Sequence, residues 1–203
     1  MRKIAIISII FAIIFILVYI FLLRAGSDRN SSVSSNILNT SDNLNMIITS
    51  PSFENNGYIP AKFTCDGSSI NPELQIENVP AEAKGLALIM HDPDAPLAGG
   101  FTHWLVWNIA ASSEASLAPA GRDPIVIKEN SVPAGCVEGK NDSGKIGYIG
   151  PCPPSGVHHY HFTIYALSAI IDLQSGSDKK SLETEIDKYL IARADLIGLY
   201  QRK

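Results

Sequence analysis

Five histidines, His91, His103, His158, His159 and His161, all lie between positions 91 and 161, and two short segments set them among carboxylates, a phenol and turn formers. The first segment is His91-Asp92-Pro93-Asp94-Ala95-Pro96, directly after the apolar run Leu86–Met90. Side chains of an extended strand alternate between faces, so Leu86, Leu88, Met90 and Asp92 share one. An apolar row therefore ends in a carboxylate at the strand's exit, and prolines stiffen the chain just beyond it. The second segment is Gly150-Pro151-Cys152-Pro153-Pro154-Ser155-Gly156-Val157-His158-His159-Tyr160-His161. Its Pro/Gly run predicts a rigid loop. Beyond it, His158, Tyr160, Phe162 and Ile164 share one strand face and His159 and His161 take the other. His103 opens a third strand candidate on the face of Leu105 and Trp107. His159 and His161 are expected at a solvent-facing strand edge. Asp92, His103 and His158 meet if three strand ends converge, a condition that spacing alone does not set.

The elements that would position these groups are mostly strands. From Met46 onward, short apolar or alternating runs are separated by Pro, Gly and Asn. Strands are predicted over Ile47–Ser50, Leu74–Glu77, Leu86–Met90, Thr102–Ile109, Ile125–Ile127 and His159–Leu167. Tyr58–Phe63 is a weaker candidate, because Pro60 confines it to an edge or loop. Lys179–Ala194 carries Leu182, Ile186, Tyr189, Leu190 and Arg193 at helical spacing. Gly198 is then expected to release the chain into a short strand, Leu199–Arg202. No internal repeat is present.

Ahead of this region, Ile4–Leu23 is apolar apart from Ser8 and Tyr19 and contains no Gly or Pro. As a helix it would span about 30 Å, the hydrocarbon thickness of a bilayer. Signal-peptide apolar cores run only about 7–15 residues before a small-residue cleavage site. Here the run ends Leu22-Leu23-Arg24-Ala25-Gly26-Ser27, with no cleavage pattern and no Cys for a lipid. Residues 1–26 are therefore predicted to be an uncleaved signal-anchor, a single transmembrane helix. Arg2, Lys3 and the amino terminus place the N-terminus in the cytosol and the domain on the extracytoplasmic side. Residues 27–45, rich in Ser, Asn and Asp, read as a flexible tether, and residues 46–203 as one domain. The chain has 203 residues with 16 Lys and Arg against 20 Asp and Glu; beyond residue 45 the balance is 12 basic to 18 acidic. An acidic domain without a basic stripe argues against nucleic-acid binding, which requires neutralised phosphates.

Several ordered motifs resemble the phosphatidylethanolamine-binding protein family, and above all its bacterial and archaeal, Raf-kinase-inhibitor-like branch. They are Asp92-Pro93-Asp94-Ala95-Pro96, His103-Trp104-Leu105-Val106-Trp107-Asn108, and Gly150-Pro151-Cys152-Pro153-Pro154-Ser155-Gly156 with His158-His159-Tyr160. Phe63-Thr64-Cys65-Asp66-Gly67 and the ending Ala194–Arg202 are similar to that branch as well. The resemblance covers roughly residues 46–202. It implies a mainly β fold with a large antiparallel sheet, a smaller sheet and peripheral short helices. It also implies a small pocket for anions such as phosphate or a phospholipid headgroup, and no cofactor. By motif position the ligand groups would be Asp92, His103, His158 and Tyr160, with a loop wall that includes Cys152, Pro153 and Pro154. His159 departs from the family pattern, standing where many members carry Arg. Members of this family take part in kinase regulation, protease inhibition, developmental signalling and lipid binding, so a kinase or protease partner is a further expectation.

The chemistry is coherent on its own terms. Two imidazoles and a phenol can surround a phosphate with donors without a fixed positive charge. Asp92 would repel an anion directly, yet it can orient an imidazole and favour imidazolium, or donate when itself protonated. Either route makes binding pH-dependent. No nucleophile with an adjacent base stands out, so no catalytic residue is assigned and a binding or regulatory module is expected. One rival is a metal-dependent hydrolase using Asp92, His103 and His158 with an open coordination position, although His158–His161 is not a usual zinc spacing. The other is an inhibitor acting through the loops Ala110–Gly121 and Gly135–Gly147, independently of the pocket. Three cysteines, Cys65, Cys136 and Cys152, leave at least one unpaired in an oxidising compartment, and all three reduced in the cytosol. Cys65 and Cys152 both belong to the resembled motifs, which makes them the expected disulfide.

Overall fold

The structure, a computed structural model, describes residues 45–111 and 124–202. The expected membrane helix, the tether up to residue 44 and most of the Ala110–Gly121 loop lie outside the described residues. Among those described, no helix is long and apolar enough to cross a membrane. In chain order the elements are β1 (Ile47–Thr49), β2 (Gly57–Tyr58), β3 (Leu74–Glu77), β4 (Gly85–Asp92), β5 (Phe101–Ile109), β6 (Ile125–Ile127), β7 (Val137–Glu138), β8 (His158–Leu167), α1 (Lys179–Tyr189) and β9 (Leu190–Tyr200). The small sheet runs β1-β3-β6 and the large one β2-β9-β8-β4-β5-β7. Every pairing is antiparallel except β2 with β9.

The centre of the large sheet is buried on both sides, which is why Leu86–Met90 reads as an unbroken apolar run rather than an alternating one. Leu86, Leu88 and Met90 join Ile48, Leu74, Ile76 and Ile127 of the small sheet in one core. Ala87 and Ile89, with Leu105 and Trp107, form a second core beneath Leu182 and Ile186 of α1. Those two helical residues are one turn apart and so share a face. Asp178 caps the helix, its side chain accepting from the Ser181 N–H at 2.9 Å.

The C-terminal prediction needs correction. The helix stops at Tyr189, and Leu190, with φ −61° and ψ 127°, begins a strand of 11 residues. Helical spacing does continue through Leu190 and Arg193, but β8 leaves a row of backbone groups in need of partners. Residues from Leu190 to Tyr200 supply them, in register from Leu167↔Leu190 to His158↔Tyr200. Gly198 therefore does not release the chain. A Cβ there would lie 2.5 Å from Ile59 Cγ1 and 2.9 Å from Phe53 Cε2, so the residue is small because β9 passes tightly over those side chains. The weak Tyr58–Phe63 candidate resolves into β2 and a 3-10 turn, Ala61–Phe63, separated by Pro60. The resembled family's peripheral short helices are represented, among the described residues, by α1 and this turn.

Candidate functional site

β8 lies between β9 and β4, so its N-terminal end and the C-terminal end of β4 sit side by side inside the large sheet. Asp92 closes β4 and His158 opens β8. His158 Nδ1 donates to Asp92 Oδ2 at 2.7 Å, and both side chains are more than nine-tenths buried. The other carboxylate oxygen accepts the Asp94 N–H at 2.9 Å, which bends the chain sharply out of the strand. With Nδ1 committed, His158 keeps Nε2 for a ligand.

His103 reaches the same place by a route that strict alternation does not predict. In the β4–β5 ladder Met90 pairs with Trp104 and His91 with Thr102, leaving His103 as an extra residue in a bulge. A bulge re-aims a side chain. His103 is thereby turned away from the face of Leu105 and Trp107, where it was expected. Its ring instead lies 4.8 Å from Phe101 and 5.2 Å from Tyr160, centroid to centroid. Its Nδ1–H donates to the Ile149 carbonyl at 2.8 Å. Burial pulls its pKa below the usual histidine value, against the opposing pull of the Ile149 carbonyl and the Asp92 charge.

Tyr160 stands between the two imidazoles, stacked at 6.4 Å on His158. Its ring is fully buried, and its hydroxyl has no hydrogen-bond partner among the described residues. Burial, seconded by the Asp92 charge, raises its pKa, so the phenol keeps its proton and remains a donor. An unpaired buried hydroxyl costs about 1–3 kcal/mol, a penalty that a ligand oxygen would remove.

These four side chains line one cavity of about 400 Å³, together with Cys152, Pro153 and Pro154. Sequence reasoning missed Leu97, Phe101 and Ile149 among its walls. The first two are ordinary apolar residues with no distinguishing pattern. Ile149 serves through its carbonyl, which any residue type would provide. The Gly150–Pro154 wall is pinned to the segment around Cys65. Cys65 and Cys152 form a disulfide with Cα atoms 5.4 Å apart, the Cys65 N–H donates to Pro151 O at 3.0 Å, and the Gly150 N–H to Ser69 Oγ at 2.9 Å. A Cβ on Gly150 would meet Phe63 O at 2.7 Å, so this close approach requires glycine. Cys136 remains a half-buried free thiol, its pKa pushed up to about 11 by burial and then by the Glu138 charge.

The expectation for the other histidines changes in part: His159 is exposed as expected, but not at a strand edge. β8 is an interior strand rather than an edge. His161 is half-buried opposite His91 on the far face, and His159 is bound through Nδ1 to Asp94 Oδ2 at 2.7 Å. Among the described residues, no three His, Cys, Asp or Glu side chains are grouped so as to hold a metal ion. The ligand set of the hydrolase reading is therefore not assembled: Asp92 and His158 face each other in a hydrogen bond, and His103 is tied to a carbonyl.

Comparison with known proteins bears on the fold and the family. The family model for phosphatidylethanolamine-binding protein matches residues 49–201. A UPF0098 protein of Pyrococcus horikoshii is 46% identical over 155 residues, covering 74% of this chain and 74% of the relative. One from Methanothermobacter thermautotrophicus is 44% identical over 160 residues, covering 77% of this chain and 99% of the relative. Among solved structures, a Chlamydia trachomatis protein described as a phosphatidylethanolamine-binding protein homologue superimposes with a TM-score of 0.70 at 35% identity, covering 78% of this chain and 99% of the other. Escherichia coli YbcL, described as a member of the mammalian family, gives 0.69 at 28% identity, with the same coverage of both chains. A two-sheet fold, a cavity at the meeting strand ends and a match running through nearly the whole described domain lead to one conclusion: this chain belongs to the phosphatidylethanolamine-binding protein family.

Proposed function

We propose that this chain is a membrane-anchored, non-enzymatic binding protein whose cavity takes a phosphate or phosphomonoester group, free or as a lipid headgroup. The observation that carries the reading is the buried Asp92–His158 pair beside His103 and the unpartnered Tyr160 hydroxyl in one cavity. Among the described residues, no Lys or Arg lines that cavity. Ligand charge must then be met by Nε2–H of protonated imidazole and by the phenol, or by a proton the ligand brings to a neutral Nε2. The arrangement suits a singly charged, partly protonated phosphate better than a dianion. The apolar walls leave room for a substituent beyond the phosphate itself. Ile4–Leu23 supplies the anchor in this reading, with the domain on the extracytoplasmic side. The family of the relatives supports a binding role without specifying the biological process.

The test is calorimetric titration of the full chain with sulfate, phosphate and phosphoethanolamine across pH 5–8. Sulfate keeps its charge throughout, so its pH dependence reports on the protein alone. Its affinity is expected to fall as pH rises, approaching about tenfold per unit for each proton taken up on binding. His158→Ala should cost about 1–3 kcal/mol, the value of one charge-assisted hydrogen bond. Asp92→Asn should shift the pH profile to lower pH, because an amide cannot favour imidazolium as a carboxylate does. Equal affinities for wild type and both variants would sink the assignment.

A further inference from the structure

The β4–β8 ladder of backbone hydrogen bonds ends at His91↔His161. Beyond it, side chains join the two segments. Asp92 takes the His158 imidazole inside the cavity, and two residues on, Asp94 takes His159 outside it. Asp94 Oδ2 accepts twice, from the His159 backbone N–H at 2.8 Å and from its Nδ1 at 2.7 Å. These bonds hold the Asp94 carboxyl below the usual aspartate range. The residues immediately after Asp94, namely Ala95, Pro96 and Leu97, form one wall of the cavity. That wall turns on itself, with Leu97 N–H donating to Ala95 O at 2.7 Å and Gly100 N–H to Leu97 O at 3.0 Å. Asp94 is thus the side-chain tie between the wall and β8.

We infer that Asp94 and His159 are positioning residues for the anion site: they clamp the Asp94–Leu97 turn to β8 and so hold Asp92 in line with His158. The inference rests on the anion-binding reading for its ligand, while its geometry stands apart from it. Both side chains are nearly half-exposed, at 49% for His159 and 42% for Asp94, so the pair contributes little to global stability. Its effect is local. The clamp also reverses the simple expectation that His159, leaving by the face opposite His158, is indifferent to the pocket.

Charge and position predict opposite signs, which makes the clamp testable. Asp94 is a negative charge beside an anion site, so simple electrostatics has Asp94→Ala binding sulfate more tightly. Positioning has it binding more weakly, by roughly three- to tenfold, because both hydrogen bonds of the tie lose their acceptor. His159→Ala keeps the backbone bond to Asp94 and should lose less. His159→Asn places an amide donor near the old Nδ1 and should recover most of that loss, whereas a role as a mobile positive charge would not be rescued.

The experiment titrates the full chain and these variants with sulfate at one pH, with thermal midpoints confirming the fold. A ligand-free nuclear magnetic resonance arm follows solvent exchange of the His158 Nδ1 proton, expected to be faster in Asp94→Ala and restored between His159→Ala and His159→Asn. Asp94→Leu, which likewise has neither charge nor acceptor, serves as the second variant if Asp94→Ala does not fold, with the same direction of effect. Tighter or unchanged sulfate binding in Asp94→Ala, or a His158 proton indifferent to Asp94, overturns the clamp. A wild-type chain that binds neither sulfate nor phosphate overturns the anion reading instead, and the His158 exchange rates then decide the clamp alone.

Discussion

His103 shows how one residue's surroundings set its chemistry. Its Nδ1 proton is committed to the Ile149 carbonyl, and burial holds its pKa below the usual histidine value. In the unfolded chain the imidazole titrates near ~6.5. Between that value and its lower folded value the unfolded state binds more protons than the folded one, so stability rises with pH across the window. Denaturation midpoints measured from pH 7 downward should therefore decline as pH falls below about 6.5. His103→Asn keeps a donor for the carbonyl and cannot titrate, so its decline should be shallower over that window. The comparison is of slopes, which removes the stability lost with the ring itself. Matching slopes would mean that His103 is not the residue whose protonation opposes folding. The spacing of His103 put it on the face of Leu105 and Trp107, and only the bulge in the ladder turned it to the cavity.

At the scale of elements, the site depends on irregularities in the ladder. One bulge turns His103 toward Tyr160; another, between Leu86 and Ala87, leaves Asn108 unpaired with β4, at φ 60°. Asn108 turns this to use, donating to Ile171 O at 3.0 Å and accepting the Ile171 N–H at 2.9 Å. β9 braces the other side of the site, with Gly198 opposite Tyr160 and Tyr200 opposite His158. Gly198→Ala forces a methyl into Ile59 and Phe53 and should destabilise by about 1–3 kcal/mol, as overpacked cores do. Urea denaturation gives the value directly. A loss under a few tenths of a kcal/mol would mean that those side chains yield freely and that β9 is not tightly seated there.

For the molecule as a whole, the Cys65–Cys152 bond closes a loop of sequence separation 87 and ties a cavity wall to the segment before β3. Loop-entropy reasoning puts its contribution at about 2–5 kcal/mol, so Cys65→Ser with Cys152→Ser should lower the unfolding midpoint measurably. The same bond reports on compartment. If the domain faces away from the cytosol, alkylation of the unfolded full chain taken directly from cells should label Cys136 alone, with Cys65 and Cys152 labelled only after reduction. Three labelled thiols without reduction would place the domain in a reducing compartment and refute the proposed orientation of the Ile4–Leu23 anchor.

The local character of the chain was legible in its residues because strand alternation, turn formers and helical spacing act over a few positions. Leu86–Met90, Ile125–Ile127 and the mainly β composition of elements come from those local rules, as does the row ending in Asp92. The motifs around Asp92, His103 and Gly150–Tyr160 were enough to indicate the family. Only the tertiary structure decided the rest. Leu190–Arg193 satisfies helical and extended patterns alike, and the unpaired backbone of β8 chose the strand. His103 faces the cavity because a bulge, which no period of two contains, changes its parity. His159 has a partner because two segments 65 residues apart meet where their ladder ends. Alternation assigns a side chain to a face; which group waits there is settled by strand order and register, and these depend on the competition of the whole chain for buried area and paired hydrogen bonds.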